Sequence, residues 1–272
     1  MFEPGNEDIL EYCFGFMISK EQRLEFLQRS GIDVKTSSLS CRKAARRLRE
    51  APGFTITVGQ AREFMREKWT APDIGMYIET LESGRLCGHD WHGAMPSFLH
   101  RSFQQKARAF CSGEIGIDEY LDTGMDIVRH ELFIILTHDL CEAHIIKSFP
   151  DVIPSIANRG VTDFIFNGLP FDLKASGLPA GWTLGRARET PLEFAISLYS
   201  GADTERLRSQ AAKSINDWGL NRFYVIATDP DAWLREPRTL LDQLASECGK
   251  VAPPMSFEID GLNIACKLVF IG

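Results

Sequence analysis

Up to about Gly116 the apolar residues recur at helical spacing, in short pieces. Ile9, Leu10, Cys13, Phe14 and Met17 form one stripe, and Leu24, Phe26 and Leu27 a second that ends near Gly31. Ser38 or Ser40 can cap a third helix over residues 42–49, Gly53 closes it, and Thr57 caps a fourth through Ala61, Phe64, Met65 and Trp69. Pro72 predicts a helix start ahead of Ile74, Ile78 and Leu81, and Pro96 another ahead of Phe103, Ala107 and Phe110. The longest helix is expected from an Asp118 cap, through Met125, Val128, Leu132, Ile135, Leu136 and Ile145, to Pro150.

Beyond residue 160 the pattern changes to strands with turns between them. Residues 162–174, Thr-Asp-Phe-Ile-Phe-Asn-Gly-Leu-Pro-Phe-Asp-Leu-Lys, read as a hairpin on a two-residue Asn167-Gly168 turn. That turn sets Phe166 against Leu169, Ile165 against Pro170 and Phe164 against Phe171, and predicts Asp163 directly opposite Asp172. Pro170 then sits at a non-bonded position, where its missing N–H is harmless. Phe164, Phe166, Leu169, Phe171 and Leu173 share the core face, while Lys174 projects with Asp172 from the other. Further on, residues 176–188 read as a Gly- and Pro-rich loop, and Thr190-Pro191-Leu192-Glu193 as a capping box opening a helix. Asp203 caps the next helix, which ends at Gly219. Residues 222–228 form a buried strand, residues 237–247 a helix, and Asp260-Gly261 joins a second hairpin. The expected fold is α/β (α+β), a mixed sheet flanked by helices with a helical N-terminal region. Residues 1–115 are expected to make up the helical region and residues 116–272 the core.

Two carboxylates opposed across a sheet repel, so the hairpin calls for a counter-charge. A divalent cation held by hard oxygens supplies it, with Mg²⁺ favoured because it keeps waters for a substrate phosphate. A lysine two residues on can reach a metal-bound water or the phosphate. The chemistry this suits is phosphodiester hydrolysis.

Composition narrows the class. The chain of 272 residues is 44% hydrophobic, enough for a large core. No apolar run is long enough to cross a bilayer and the N-terminus lacks a signal-peptide pattern, so a cytoplasmic protein without a membrane partner is expected. Seven cysteines, an odd and scattered set, are expected reduced and buried. The net charge of −7 argues against indiscriminate nucleic-acid binding but leaves room for a local basic cleft.

An acid on one strand followed by Asp-x-Lys on the next, here Thr162-Asp163 with Asp172-Leu173-Lys174, resembles the PD-(D/E)xK nuclease superfamily. The run 171–179, with Asn221-Arg222-Phe223-Tyr224-Val225-Ile226 downstream, is similar to its type II restriction endonucleases. Thr162 stands where the motif has proline. The resemblance spans roughly residues 140–230 and implies a restriction-endonuclease-like core. It also implies a sequence-specific, Mg²⁺-dependent double-stranded DNA endonuclease, with Mn²⁺ able to substitute, leaving 5′-phosphate and 3′-hydroxyl ends. Asp163 and Asp172 would hold the metal with the Leu173 carbonyl, and Lys174 would act on the attacking water. The superfamily often adds an acid from the preceding helix; Glu142 is preferred over Glu131 because it lies nearer the strand. A palindromic target would imply a homodimer.

For DNA contact the candidates are Arg159 before the hairpin, Trp182, Arg186 and Arg188 after it, and Arg46 and Arg47 on the basic helix. Ser155 and Gln210 are lesser candidates for the site. Cys87, His89 and His92 fit no standard zinc module, and zinc is not expected. The alternatives are a repair, mobile-element or phage-defence nuclease of looser specificity and a non-catalytic, zinc-containing DNA-binding protein.

Overall fold

The computed structural model describes residues 6–17, 19–31, 56–87, 97–156, 162–200, 220–250, 253–259 and 261–272. Helices α1 (Asn6–Phe16), α2 (Lys20–Arg29), α3 (Val58–Lys68), α4 (Ile74–Glu82), α5 (Ser97–Ser112) and α6 (Ile117–Ser148) come first. Then follow β1 (Ile153–Pro154), β2 (Phe164–Phe166), β3 (Leu169–Gly177), α7 (Leu184–Glu189), α8 (Pro191–Ser200), β4 (Arg222–Ala227), α9 (Ala232–Arg235), α10 (Pro237–Gly249), β5 (Met255–Ile259) and β6 (Leu262–Ile271). Thr57 caps α3 as expected, and with Gln60 it completes a capping box. Elsewhere the caps differ from expectation. Asp73 rather than Pro72 begins α4, and Gly116 rather than Asp118 precedes α6, leaving Asp118 in the first turn where its charge suits the helix dipole. The Thr190 hydroxyl donates to the Arg186 carbonyl of α7, a helix that occupies part of the expected 176–188 loop.

The six strands form one sheet in the order β1-β2-β3-β4-β6-β5. Its centre, β3-β4-β6, is parallel, and the outer pairs are antiparallel. All six residues of β4 are buried, as a central parallel strand covered on both faces requires. Leu136, Leu140 and Ile145 of α6 and Leu240, Leu241 and Leu244 of α10 pack on one face against Leu173, Phe223, Val225 and Val269. Phe194, Ala195 and Tyr199 of α8 pack with Tyr224, Ile226 and Cys266 on the other.

At the β1-β2 edge Ile153 and Ile165 are buried in a third cluster with Phe14, Phe26, Phe64 and Met65 of α1–α3. The hairpin face opposite the core is therefore covered by helices at β2 and carries chemistry only further along. Ile78 and Leu81 of α4 belong to the main sheet cluster, so residues on both sides of position 115 share one core. Among the described residues four cysteines are buried, but Cys87 and Cys111 are exposed, against the expectation that all are interior. Among the described residues no helix is long and apolar enough to cross a membrane.

Phe223 joins strand to hairpin. The rings of Phe164, Phe166 and Phe171 stand edge-on to it at 5.5, 5.4 and 5.8 Å between centroids. Truncation here removes three aromatic contacts and leaves a cavity, so Phe223→Ala is expected to cost about 3–5 kcal/mol in urea unfolding. A loss under about 1 kcal/mol would contradict this packing role.

Candidate active site

Asn167 and Gly168 both have positive φ, 50° and 79°, and the ladder pairs Phe166 with Leu169, Ile165 with Pro170 and Phe164 with Phe171 as the turn predicts. One step further the regular pairing stops. The Asp163 amide donates to the Phe171 carbonyl at 2.8 Å, and the Asp163 carbonyl accepts from Ser155 at 2.7 Å. Asp163 is thus not in ladder register with Asp172, a correction to the sequence reading. Its carboxylate instead takes the acceptor place that the ladder vacates, receiving the Leu173 amide at 2.6 Å. Offsetting the acids by this bulge-like step avoids the repulsion of a directly opposed pair.

The long helix α6 supplies the other wall. His138 Nε2 lies 3.6 Å from Asp163 Oδ2, and His138 Nδ1 lies 3.2 Å from Asp139 Oδ1. Tyr77 on α4 donates to Asp139 at 3.3 Å. Glu142, one turn beyond His138, completes a group with His138 and Asp139 whose ligand atoms all lie within 4.8 Å of one another. On β3, Lys174 Nζ sits 2.7 Å from Asp172 Oδ2, and Arg222 Nε, from the neighbouring strand, sits 3.1 Å from the same oxygen. Asn221 fixes that end of the sheet: its side chain donates to the Pro170 carbonyl at 3.1 Å and accepts from the Ala265 amide at 2.8 Å, and its backbone carbonyl accepts the Asp172 amide.

Burial and mutual repulsion set the protonation states. Burial opposes charge on His138, but Asp139, Asp163 and Glu142 together raise its pKa to about 10, so it is a cation at neutral pH. Burial also opposes charge on Asp163, yet the His138 contact and the Leu173 amide hold its carboxyl below the ordinary value. Burial lifts the Asp172 carboxyl, with Arg222 and Lys174 pulling the other way and Asp163 adding to the lift. Glu142 is raised to about 8, first by burial and then by the charge of Asp163, with only His138 offsetting them.

Four of the predicted residues, Asp163, Asp172, Lys174 and Glu142, are therefore gathered at one place, with Leu173 supplying its amide and Ser155 bonded to the backbone of Asp163. Glu131 is exposed on an earlier part of α6. Trp182, Arg186 and Arg188 are engaged elsewhere: the Arg186 guanidinium lies 4.4 Å from the Trp182 ring centre and that of Arg188 6.0 Å from Phe270. Arg46, Arg47, Arg159, Gln210, His89 and His92 lie outside the described residues. Sequence reasoning gave no role to His138, Asp139 or Arg222. The His-Asp-x-x-Glu spacing of residues 138–142 could have flagged the first two, since positions i and i+4 share a helix face. The Arg222 contact depends on the parallel β3-β4 register, which no local pattern encodes. Comparison with protein-family models, curated proteins and solved structures found no match to the chain, and the site stands on its own geometry.

With its folded pKa raised from 4.5 to about 8, Glu142 binds a proton more tightly in the native state than in the unfolded chain. Native stability then falls as pH rises through that interval and levels above it. In metal-free buffer Glu142→Gln is expected to be more stable than the parent, by about 1–3 kcal/mol near pH 8 and by less at pH 5. Urea unfolding at several pH values checks this; a gap that stays constant with pH would contradict it.

Proposed function

We propose that the chain is a Mg²⁺-dependent endonuclease of double-stranded DNA with a restriction-endonuclease-like core, acting as a type II restriction enzyme. The observation that carries this reading is that Asp163 sits within electrostatic reach of both Glu142 and Asp172, with Lys174 paired to Asp172 and the Glu142 carboxyl raised to about 8 by burial and then by the charge of Asp163. The donor set fits a hard divalent cation. Lys174 and Arg222 offset Asp172, and His138 offsets Asp163 in part, so the pair Glu142 and Asp163 is where positive charge is most deficient. The hairpin at the antiparallel edge of a parallel sheet, next to a long helix, also suits the resemblance noted above.

Glu142, Asp163 and Asp172 would hold the cation, with the Leu173 carbonyl added by the resemblance. When bound, a divalent ion polarises a phosphoryl oxygen and lowers the pKa of water. The chain's own groups do the rest. His138 and the Leu173 amide orient the Asp163 carboxylate, and Arg222, itself buried, orients Asp172. Lys174 is the more exposed of the two cations on Asp172, 46% against 7% for Arg222, so it is the one able to swing towards a bound phosphate. There its ammonium would steer the attacking water and offset charge on the pentacovalent phosphorus. Water adds to phosphorus, the P–O3′ bond breaks, and the products carry a 5′-phosphate and a 3′-hydroxyl.

Incubation with Mg²⁺ and a phage DNA of known sequence is expected to yield discrete fragments. A smear would favour a nuclease of looser specificity, and intact DNA across many substrates would refute the proposal. Asp172→Ala should lower cleavage by about a hundredfold or more. Lys174→Ala should abolish turnover while leaving DNA binding in Ca²⁺ nearly unchanged, because its charge serves the reaction more than docking. Equal losses of binding and cleavage would contradict that role.

A further inference from the structure

On the turns of α6 that precede the acid site, one face is apolar and exposed. Ile117, Leu121, Met125, Val128, Leu132 and Ile135 are between 37% (Leu132) and 56% (Val128) accessible. From Leu121 onward they recur at intervals of four, three, four and three, the spacing of a seam that packs against another helix. Single exposed apolar residues need no explanation, but a continuous stripe along about 28 Å of helix does. Helix α5 lies against a different side of α6, where Phe110 stacks on Tyr120 at 5.4 Å and Lys106 pairs with Glu119.

We propose that this stripe is the contact between two copies of the chain, with the two α6 helices antiparallel about a two-fold axis between Asp126 and Ile127. A two-fold contact must be complementary to itself. About this axis Leu121 meets Leu132 of the second copy and Met125 meets its Val128, so the four inner seam positions all find apolar partners. The flanking charges also match. Asp122 and Arg129, one heptad apart on the same edge of the seam, come opposite each other twice, once in each half. A parallel pair would set Asp122 against Ile117 and Arg129 against Gly124, with no ion pair gained. Among the described residues Arg129 bridges to Asp126 alone, at 3.3 Å, an exposed pair of little worth that a second copy can replace. A lipid surface is a poor occupant, because residues 117–135 carry five acids and one base, and anionic headgroups would repel them. The contact uses none of the acid-site side chains, and sedimentation reads it without any cleavage assay, so its failure and the failure of the nuclease reading are distinguishable.

Sedimentation equilibrium of the full chain at micromolar concentration is expected to give twice the chain mass. Val128→Glu with Leu132→Glu should give a monomer of unchanged far-ultraviolet circular dichroism, since both side chains are exposed in the single chain. Asp122→Arg should weaken the dimer about tenfold or more, and adding Arg129→Asp should restore it. A monomeric wild type, a dimer that survives the two glutamates, or a charge swap that fails to restore association would each overturn the proposal. So would a monomer that binds vesicles of phosphatidylcholine and phosphatidylglycerol, in favour of a membrane contact.

Discussion

The hydrogen bond from the Leu173 amide to the Asp163 carboxylate, 2.6 Å long, is the constraint around which the site forms. It lets an ionised side chain substitute for a backbone acceptor where the β2-β3 ladder fails. A buried carboxylate is stable only when paired or hydrogen-bonded. The surroundings follow from that need: a protonated His138 from α6 on one side, and Lys174 and Arg222 around Asp172 on the other. The acids are thus spread over a helix, the bulged residue before β2 and strand β3, and their separation is set by tertiary packing. Polar networks of this kind are costly when incomplete. Glu142, which repulsion and burial leave needing a proton, is the incomplete member.

Such a site can be held only by a stiff frame. The parallel centre of the sheet supplies it, with β4 buried along its whole length and Phe223 locking the hairpin rings in place. Asn221, immediately before β4, satisfies buried backbone groups of both β3 and β6 at the same end as Asp172. Stability and site geometry are coupled through these two residues, which flank Arg222. The N-terminal helices add a further layer by covering Ile153 and Ile165, which keeps the hairpin's edge from being an open strand.

The hairpin was legible in the sequence because Asn-Gly turn chemistry is local: both residues reach positive φ, and three pairs of the register follow from the turn. The same rule misplaced Asp163, since a bulge depends on what the neighbouring strand β1 and the Leu173 amide demand of it. The helical spacing of α6 was legible for the same local reason, but of the apolar residues that carried it only Leu136 and Ile145 are buried, while Met125, Val128, Leu132 and Ile135 are exposed. The roles of His138, Asp139 and Arg222 were not, because each becomes meaningful only once α6 and β4 are laid against the hairpin. Helix caps fell between these cases. Thr57 caps its helix as expected, while the Thr190 hydroxyl donates to a carbonyl of the preceding helix.

A cation-binding carboxylate cluster built on a bulged hairpin should reveal itself before any substrate is added. Calorimetric titration of metal-free protein with Mg²⁺ near pH 7, repeated in buffers of different ionisation enthalpy, measures both binding and the protons it displaces. Saturable binding that releases about one proton, and that is lost in Asp163→Asn, is the expected result. Absence of binding, or binding indifferent to Asp163, would mean that these acids serve the fold alone.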